Sequence, residues 1–286
     1  MKKSIKSILA AGIATAAVVA LVGCGGGGEA AGAKVAVPSD PTNEGRALLL
    51  LQDQGLISLN EDAGLTATVN DIIDNPNNLE IIEMEAAAIP SAIADVDFAI
   101  INGNYAIGAG IDTATALANE DPAGDAAQIY ANIIAVAEGE EATPKTQALV
   151  NALCTQEVAD YIAATYNGAV VAAFSTSGDI PAAAGEDTTI KVGASPAPQA
   201  EILALVADDL AAAGWTLEVV EFSDYIQPNV ALTEGELDAN YFQHISYLDD
   251  YNAENGTTIA SAALIHFEPL GLYPGKTATL EGLTTL

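Results

Sequence analysis

Positive charge is what this chain has least of. Eight Lys and Arg stand against 39 Asp and Glu, a formal charge of −31 over 286 residues. Nucleic acid is excluded as a partner, and so is a basic grip on anionic lipid headgroups, because both need clustered Lys and Arg. The two cysteines, Cys24 and Cys154, sit in no Cys/His cluster with metal-ligand spacing. With two histidines there is little acid–base machinery, and no Ser-His-Asp order, paired-carboxylate signature or phosphate loop points to an enzyme. No cofactor is implied. Aromatic residues make up only 5% of the chain, so a local concentration of them is informative. Arg46 is the sole arginine.

The first residues read as an address. Lys2, Lys3 and Lys6 form a positive start, and 8–22 is an apolar run too short for an ordinary membrane span. Leu21-Val22-Gly23-Cys24 then matches the bacterial lipobox, in which the cysteine is lipidated (palmitate among its acyl groups) and becomes the new N-terminus. Residues 1–23 are thus expected to be a lipoprotein signal peptide. Residues 24–33, glycine-rich, are expected to tether a folded part to the cell membrane on its extracytoplasmic side. Once Cys24 is acylated, Cys154 has no partner for an intrachain disulfide, and its helical surroundings mark it as a small buried apolar residue.

From Lys34 the pattern is strand, turn, helix. Residues 34–37 are apolar and short, and 43–54 carry a helical pattern, so the turn lies where a strand's carboxyl end meets a helix's amino end. Open α/β folds bind ligands at such places, and the free N–H groups of a helix start favour an anion. Arg46, in the first turn, has two readings: a surface arginine at a helix start, or a fork that grips a ligand carboxylate with two parallel hydrogen bonds. Strands are predicted at 79–85, 96–105 and 130–136, with helices at 86–93 and 146–166, and the succession predicts a parallel sheet covered by helices. Asn102 and Asn104 fall at a strand's carboxyl end on the rim that carries Arg46, and Asn132 opens another strand.

Residues 175–189 turn small, polar and acidic and read as a linker. After it Lys191-Val-Gly-Ala-Ser-Pro-Ala-Pro198 parallels the opening Lys34-Val-Ala-Val-Pro-Ser-Asp-Pro41, with a helix predicted at 199–213 and strands at 215–222 and near Tyr241. The expectation is two α/β lobes, 34–174 and 190–286, with a ligand cleft between their facing rims. The second rim is aromatic: Tyr225, Tyr241, Phe242, His244 and Tyr247 stand close together, Tyr241 pointing to the core by strand alternation. His244 reads either as a ligand contact or as a core residue satisfied by its neighbours, whereas His266 reads as structural. An arginine-bearing polar wall opposite an aromatic one suits an amino acid with an apolar side chain, a thioether included.

Four stretches carry a family resemblance: 35–52, 97–106, 220–232 and 235–248. They include Val35-Ala-Val-Pro-Ser-Asp-Pro-Thr-Asn-Glu-Gly-Arg46 and Ala239-Asn-Tyr-Phe-Gln-His-Ile-Ser-Tyr247, and together the stretches, long and specific, resemble the methionine-binding lipoproteins of the NlpA family. The resemblance implies a two-lobed, periplasmic-binding-protein-like (type II) α/β fold, each lobe a mixed sheet flanked by helices. It also implies a substrate-binding component that captures L-methionine and delivers it to the permease and ATPase of an ABC importer. On it, Arg46 holds the ligand carboxylate, and Asn102 or Asn104, with Asn132, engages the ammonium and carboxylate groups. Asn43 contributes from one turn before Arg46, and Tyr225, Phe242, His244 and Tyr247 form the side-chain pocket. The order is exchanged: 34–174 resembles the family's C-terminal half and 190–286 its N-terminal half, as in a circular permutation. Such a chain is expected to keep one crossing between lobes, near Gly103. The alternatives are a receptor for another apolar amino acid or a short methionine-containing peptide, or a surface lipoprotein without a transport role, acting as an adhesin or in envelope upkeep.

Overall fold

The computed structural model describes residues 32–124 and 126–286. The expected signal peptide, Cys24 and the tether up to residue 31 lie outside the described residues. No helix among the described residues is long and apolar enough to cross a membrane.

The chain enters as β1 (Lys34–Pro38), buried after its first residue, and turns into α1 (Pro41–Asp53). Asp40 caps the helix by accepting the Asn43 backbone N–H at 3.0 Å, and Pro41 brings the φ that a first helical position needs. The antiparallel strands β2 (Ser58–Leu59) and β3 (Ile72–Asp74) follow, with short helical turns at Gly64–Thr66 and Val69–Asp71 between them. Then come β4 (Glu80–Met84), α2 (Ile89–Ala92), β5 (Phe98–Ile101), α3 (Gly103–Gly108) and β6 (Ala118–Asn119). The strand predicted over 96–105 therefore stops at Ile101, and its polar end begins a helix.

From Glu120 the chain leaves this sheet. It passes through α4 (Ala126–Ile129) into β7 (Asn132–Ala137), which belongs to a second sheet. There follow α5 (Pro144–Leu153), α6 (Gln156–Tyr166), β8 (Val171–Ala172), β9 (Thr189–Ala194), α7 (Glu201–Leu205), α8 (Ala207–Ala212) and β10 (Thr216–Glu221). The lobe is completed by α9 (Gln227–Thr233), β11 (Ala239–His244), α10 (Ile245–Asn255) and β12 (Ile259–Phe267). Residues 268–270 then return the chain to the first sheet as β13 (Gly271–Pro274). The helix predicted over 146–166 breaks at Cys154, because the Thr155 side chain caps a new helix by accepting from Val158. Cys154 is buried, which pushes its thiol pKa up to about 11.

The two sheets repeat one plan. Their orders are β4-β1-β5-β13-β6 and β10-β9-β11-β7-β12-β8. In each, three parallel strands are followed by one antiparallel strand that arrives from the other lobe. Beside it lies the strand whose chain departs for the other lobe. Alternation along β1 sends Val35 and Val37 into one core and Ala36 into another. Both faces of the sheet are thus covered, which is why its strands read as unbroken apolar runs.

This plan corrects two expectations. The lobes are not 34–174 and 190–286: one comprises 34–119 with 271–286, the other 132–267. Two crossings join them, 120–131 and 268–270, rather than one near Gly103. Gly103 stays in the first lobe, where a Cβ would lie 2.6 Å from Glu268 Cβ, so a glycine is what lets the second crossing pass. Nor does the linker 175–189 join lobes. It joins β8 to β9 of the same sheet and is pinned to that lobe by Trp215 Nε1 donating to Pro181 O at 2.8 Å and by Lys145 paired with Asp187 at 2.7 Å.

Candidate functional site

The carboxyl ends of β1, β5, β9 and β11 meet at the cleft between lobes. Asn132 joins them from the start of β7, because that strand runs antiparallel and sets Asn132 opposite His244. A small cavity of about 20 Å³ lies there, lined by Asn43 and Asn102 from one lobe and by Tyr225, Phe242, Gln243, His244 and Tyr247 from the other. Tyr225, Phe242 and Tyr247 form a triangle of rings with centroids 5.9–6.0 Å apart. A larger cavity of about 440 Å³ opens on the hinge side, against Asp112, Asn119, Glu120, Tyr166 and Pro269, but none of the aromatic wall reaches it.

Arg46 is buried beside the first cavity, 4% exposed, with its guanidinium 4.2 Å from the centre of the Tyr130 ring. Its fork is already engaged. Nε and Nη2 donate to the Glu120 carboxylate at 3.0 and 2.6 Å, Nη2 also reaches the Glu268 carbonyl at 3.3 Å, and Nη1 reaches Asn43 Oδ1 at 3.3 Å. Burial works against the arginine's charge, and the adjacent Glu120 carboxylate outweighs it, leaving the pKa raised. The two-pronged grip expected for a ligand carboxylate is therefore closed on Glu120. One N–H of Nη1 has no partner among the described residues, so Arg46 offers a ligand one donor and a positive field.

Asn43 Oδ1 also accepts from Asn102 Nδ2 at 2.8 Å, leaving Asn102 Oδ1 as a buried acceptor without a partner. Asn104 is used differently. Its Oδ1 accepts the Tyr225 hydroxyl at 2.6 Å and its amide faces Ser195 Oγ at 3.5 Å, so it ties the two lobes together and does not line the cavity. Asn132 likewise turns aside, accepting from Gln199 Nε2 at 3.0 Å.

His244 caps α10. Its Nδ1 accepts the Tyr247 backbone N–H at 3.1 Å, which fixes the ring proton on Nε2 and leaves that N–H as the free donor. Burial, then the Arg46 charge, hold its pKa well below the usual 6.5, so the ring is neutral. His266 is fully buried, with Nδ1 against the Tyr241 hydroxyl and Nε2 2.6 Å from Glu268 Oε1. Gln199 Nε2 donates to that same oxygen at 2.8 Å, so the second crossing is fastened to its lobe from within.

Glu120, Tyr130, Gln199, Gln243 and Glu268 escape a reading from sequence. Glu120 sits in Glu-Asp-Pro, which looks like a solvated turn, and only the fold puts it 74 residues away beside Arg46. Tyr130 carried a signal, since it stands two places before Asn132 at the entrance of a rim strand.

The family model described as NlpA lipoprotein matches residues 30–174 and 190–285. The membrane lipoprotein TpN32 of Treponema pallidum is 42% identical over 142 residues, 50% of this chain and 52% of that protein. The D-methionine-binding lipoprotein MetQ of Escherichia coli K12 is 38% identical over 143 residues, 49% of this chain and 51% of that protein. A solved nutrient-binding protein from Burkholderia cenocepacia, bound to methionine, shares 44% identity over 50% of this chain and 60% of its own, with a TM-score of 0.47. The chain spans about half the length of the curated relatives it matches.

Proposed function

The chain belongs to the NlpA lipoprotein family, and from that premise we propose that it is a receptor, not an enzyme, that closes on methionine and passes it to an ABC importer. Anchored through Cys24, it works outside the membrane. The observation that carries this reading is the cavity between Asn43 and Asn102 on one lobe and the Tyr225, Phe242 and Tyr247 rings on the other. At about 20 Å³ it has room for a single water between the lobes as they stand, so an amino acid enters only as the lobes part and the rings move back. Arg46 and the free Nη1 N–H draw the carboxylate. Asn102 Oδ1, an acceptor with nothing to accept, takes the ammonium. His244 offers its Nε2–H, and the rings enclose the thioether, which packs well against aromatic edges.

The same reading includes the exchanged order of the halves. In its support, the C-terminal segment lies against the start of the first lobe: Leu280 and Leu283 pack in one core with Ala33 and Val35, and Thr284 exchanges two hydrogen bonds with Asn77. A permutation requires former neighbours to remain that close.

The test is thermal melting of protein stripped of ligand, with each of the twenty amino acids. At a hundredfold excess over its dissociation constant, methionine is expected to stabilise the fold by about 2.7 kcal/mol, a rise of roughly 5–11 °C for a chain of this size. No shift with any amino acid would defeat the receptor reading.

A further inference from the structure

We infer that Glu120, which lies behind Arg46 and outside the cavity lining, decides the charge of the ligand: it makes the site select zwitterionic amino acids over carboxylates that lack an ammonium group. The inference rests on the reading of the cavity as an amino-acid site. Arg46 and Glu120 are both nearly buried, with side chains 4% and 9% exposed, and the pair is electrically closed before any ligand arrives. Of five guanidinium N–H groups, two face Glu120, one the Glu268 carbonyl and one Asn43, so Glu120 holds the half of the fork that recognises carboxylates.

A bare carboxylate entering the cavity would add an uncompensated negative charge beside a neutral pair, with the partly buried Asp40 carboxyl on the other side of Asn43. Desolvating such a charge is costly unless a partner enters with it. An α-amino acid carries that partner. Its carboxylate meets the one free Nη1 N–H while its ammonium meets the orphan Asn102 Oδ1, and the net charge of the site does not change. Without the Glu120 charge, Arg46 would stand alone as a cation and would welcome an anion. Glu120 also accepts the Leu270 N–H at 2.8 Å, so it is fixed by the second crossing as well as by Arg46 and cannot swing away when a ligand binds.

The experiment measures, by calorimetry on the ligand-stripped full chain, affinity for L-methionine and for 4-(methylthio)butanoate, which is methionine without its amino group. The unaltered protein should prefer methionine by a hundredfold or more. In E120Q that ratio should narrow at least tenfold, with the deaminated acid binding more tightly in absolute terms, the scale expected for removing one unit charge several ångströms away. E120D keeps the charge and should keep the ratio within about threefold even if both affinities fall. Equal losses for both ligands in E120Q, or an unchanged ratio, would reduce Glu120 to a structural prop and overturn the inference. Equal affinities in the unaltered protein would overturn it without any variant. Methionine binding with an unchanged ratio leaves the receptor reading intact, whereas no methionine binding at all removes both.

Discussion

Replacing Arg46 by alanine should unsettle the empty protein before any question of ligand arises. The substitution removes both hydrogen bonds to Glu120, the contacts to Asn43 and the Glu268 carbonyl, and the cation held against Tyr130. It leaves the Glu120 carboxylate, 9% exposed, with the Leu270 N–H as its remaining partner. Breaking a buried ion pair from one side costs about 3–5 kcal/mol. At roughly 2–4 °C per kcal/mol for a fold of this size, the melting point should fall by about 6–20 °C. Glu120→Ala should cost a similar amount, lessened by the aromatic face that still holds the guanidinium, a contact of about 0.5–2 kcal/mol. The double variant buries no unpaired charge, so the sum should fail by about 2–4 kcal/mol in the favourable direction. Urea denaturation of the four ligand-free proteins measures the cycle. Single effects that add to within about 0.5 kcal/mol would refute the claim that Arg46 and Glu120 act as one buried unit.

Three further outcomes are expected. Tyr105→Phe removes a hydroxyl that reaches the Ser223 carbonyl of the other lobe at 3.3 Å, and should raise the methionine dissociation constant by roughly 2–10-fold through faster release; stopped-flow fluorescence measures this, and a changed preference among amino acids would mean that the ring touches the ligand. The folded protein holds His244 neutral, with its pKa depressed by burial and then by Arg46, so its contribution to stability is complete above about pH 6.5 and is lost as pH falls from there towards the folded-state value; the decline in melting point on acidification should be shallower in His244→Asn, and parallel curves would contradict the assignment. Gly103→Ala should destabilise by about 1–3 kcal/mol, because its Cβ meets Glu268 Cβ at 2.6 Å; a urea midpoint unchanged from the parent would show that the second crossing shifts freely.

Much of the fold was legible because it depends on local patterning. The alternating and unbroken apolar runs locate β1, β5, β7 and β11, and the likeness of Lys34–Pro41 to Lys191–Pro198 reflects two strands, β1 and β9, that hold the same place in two similarly ordered sheets. Asn43, Asn102, Phe242 and His244 line the cavity for a related reason: Phe242 and His244 end β11, Asn102 directly follows β5, and Asn43 lies in the first turn of the helix after β1. The lobe boundary was misplaced because composition marks flexible surface, and 175–189 is surface without being a border. The real crossings are short and locally unremarkable. Residues 268–270 are Glu-Pro-Leu, and no pattern of three residues announces a change of sheet. Asn104 was placed on the ligand rim by its spacing. Two positions beyond Asn102 on a strand would share its face, but α3 begins at Gly103, and the turn of a helix sends Asn104 towards Tyr225 instead.

The crossings also explain why an exchanged order of halves need not disturb the site. Each lobe is closed by a strand that arrives from the other, β13 between β5 and β6 and β7 between β11 and β12. What must stay covalent are the two short passages that carry those strands, 120–131 and 268–270. Glu120 begins the first and Glu268 the second, and the two are stitched together: Glu120 N–H donates to the Leu270 carbonyl at 3.1 Å, Leu270 N–H to Glu120 Oε2 at 2.8 Å, and Arg46 to both Glu120 and the Glu268 carbonyl. Residues near 34 and 280–286 lie in the first lobe and the connection 175–189 runs along the second, so an exchange of halves at these places would fall within a lobe and away from the passages between lobes. A cut inside 268–270 would have the opposite effect. It would release the backbone that Arg46 holds and let the guanidinium drift from the cavity, however faithfully the lining residues were kept.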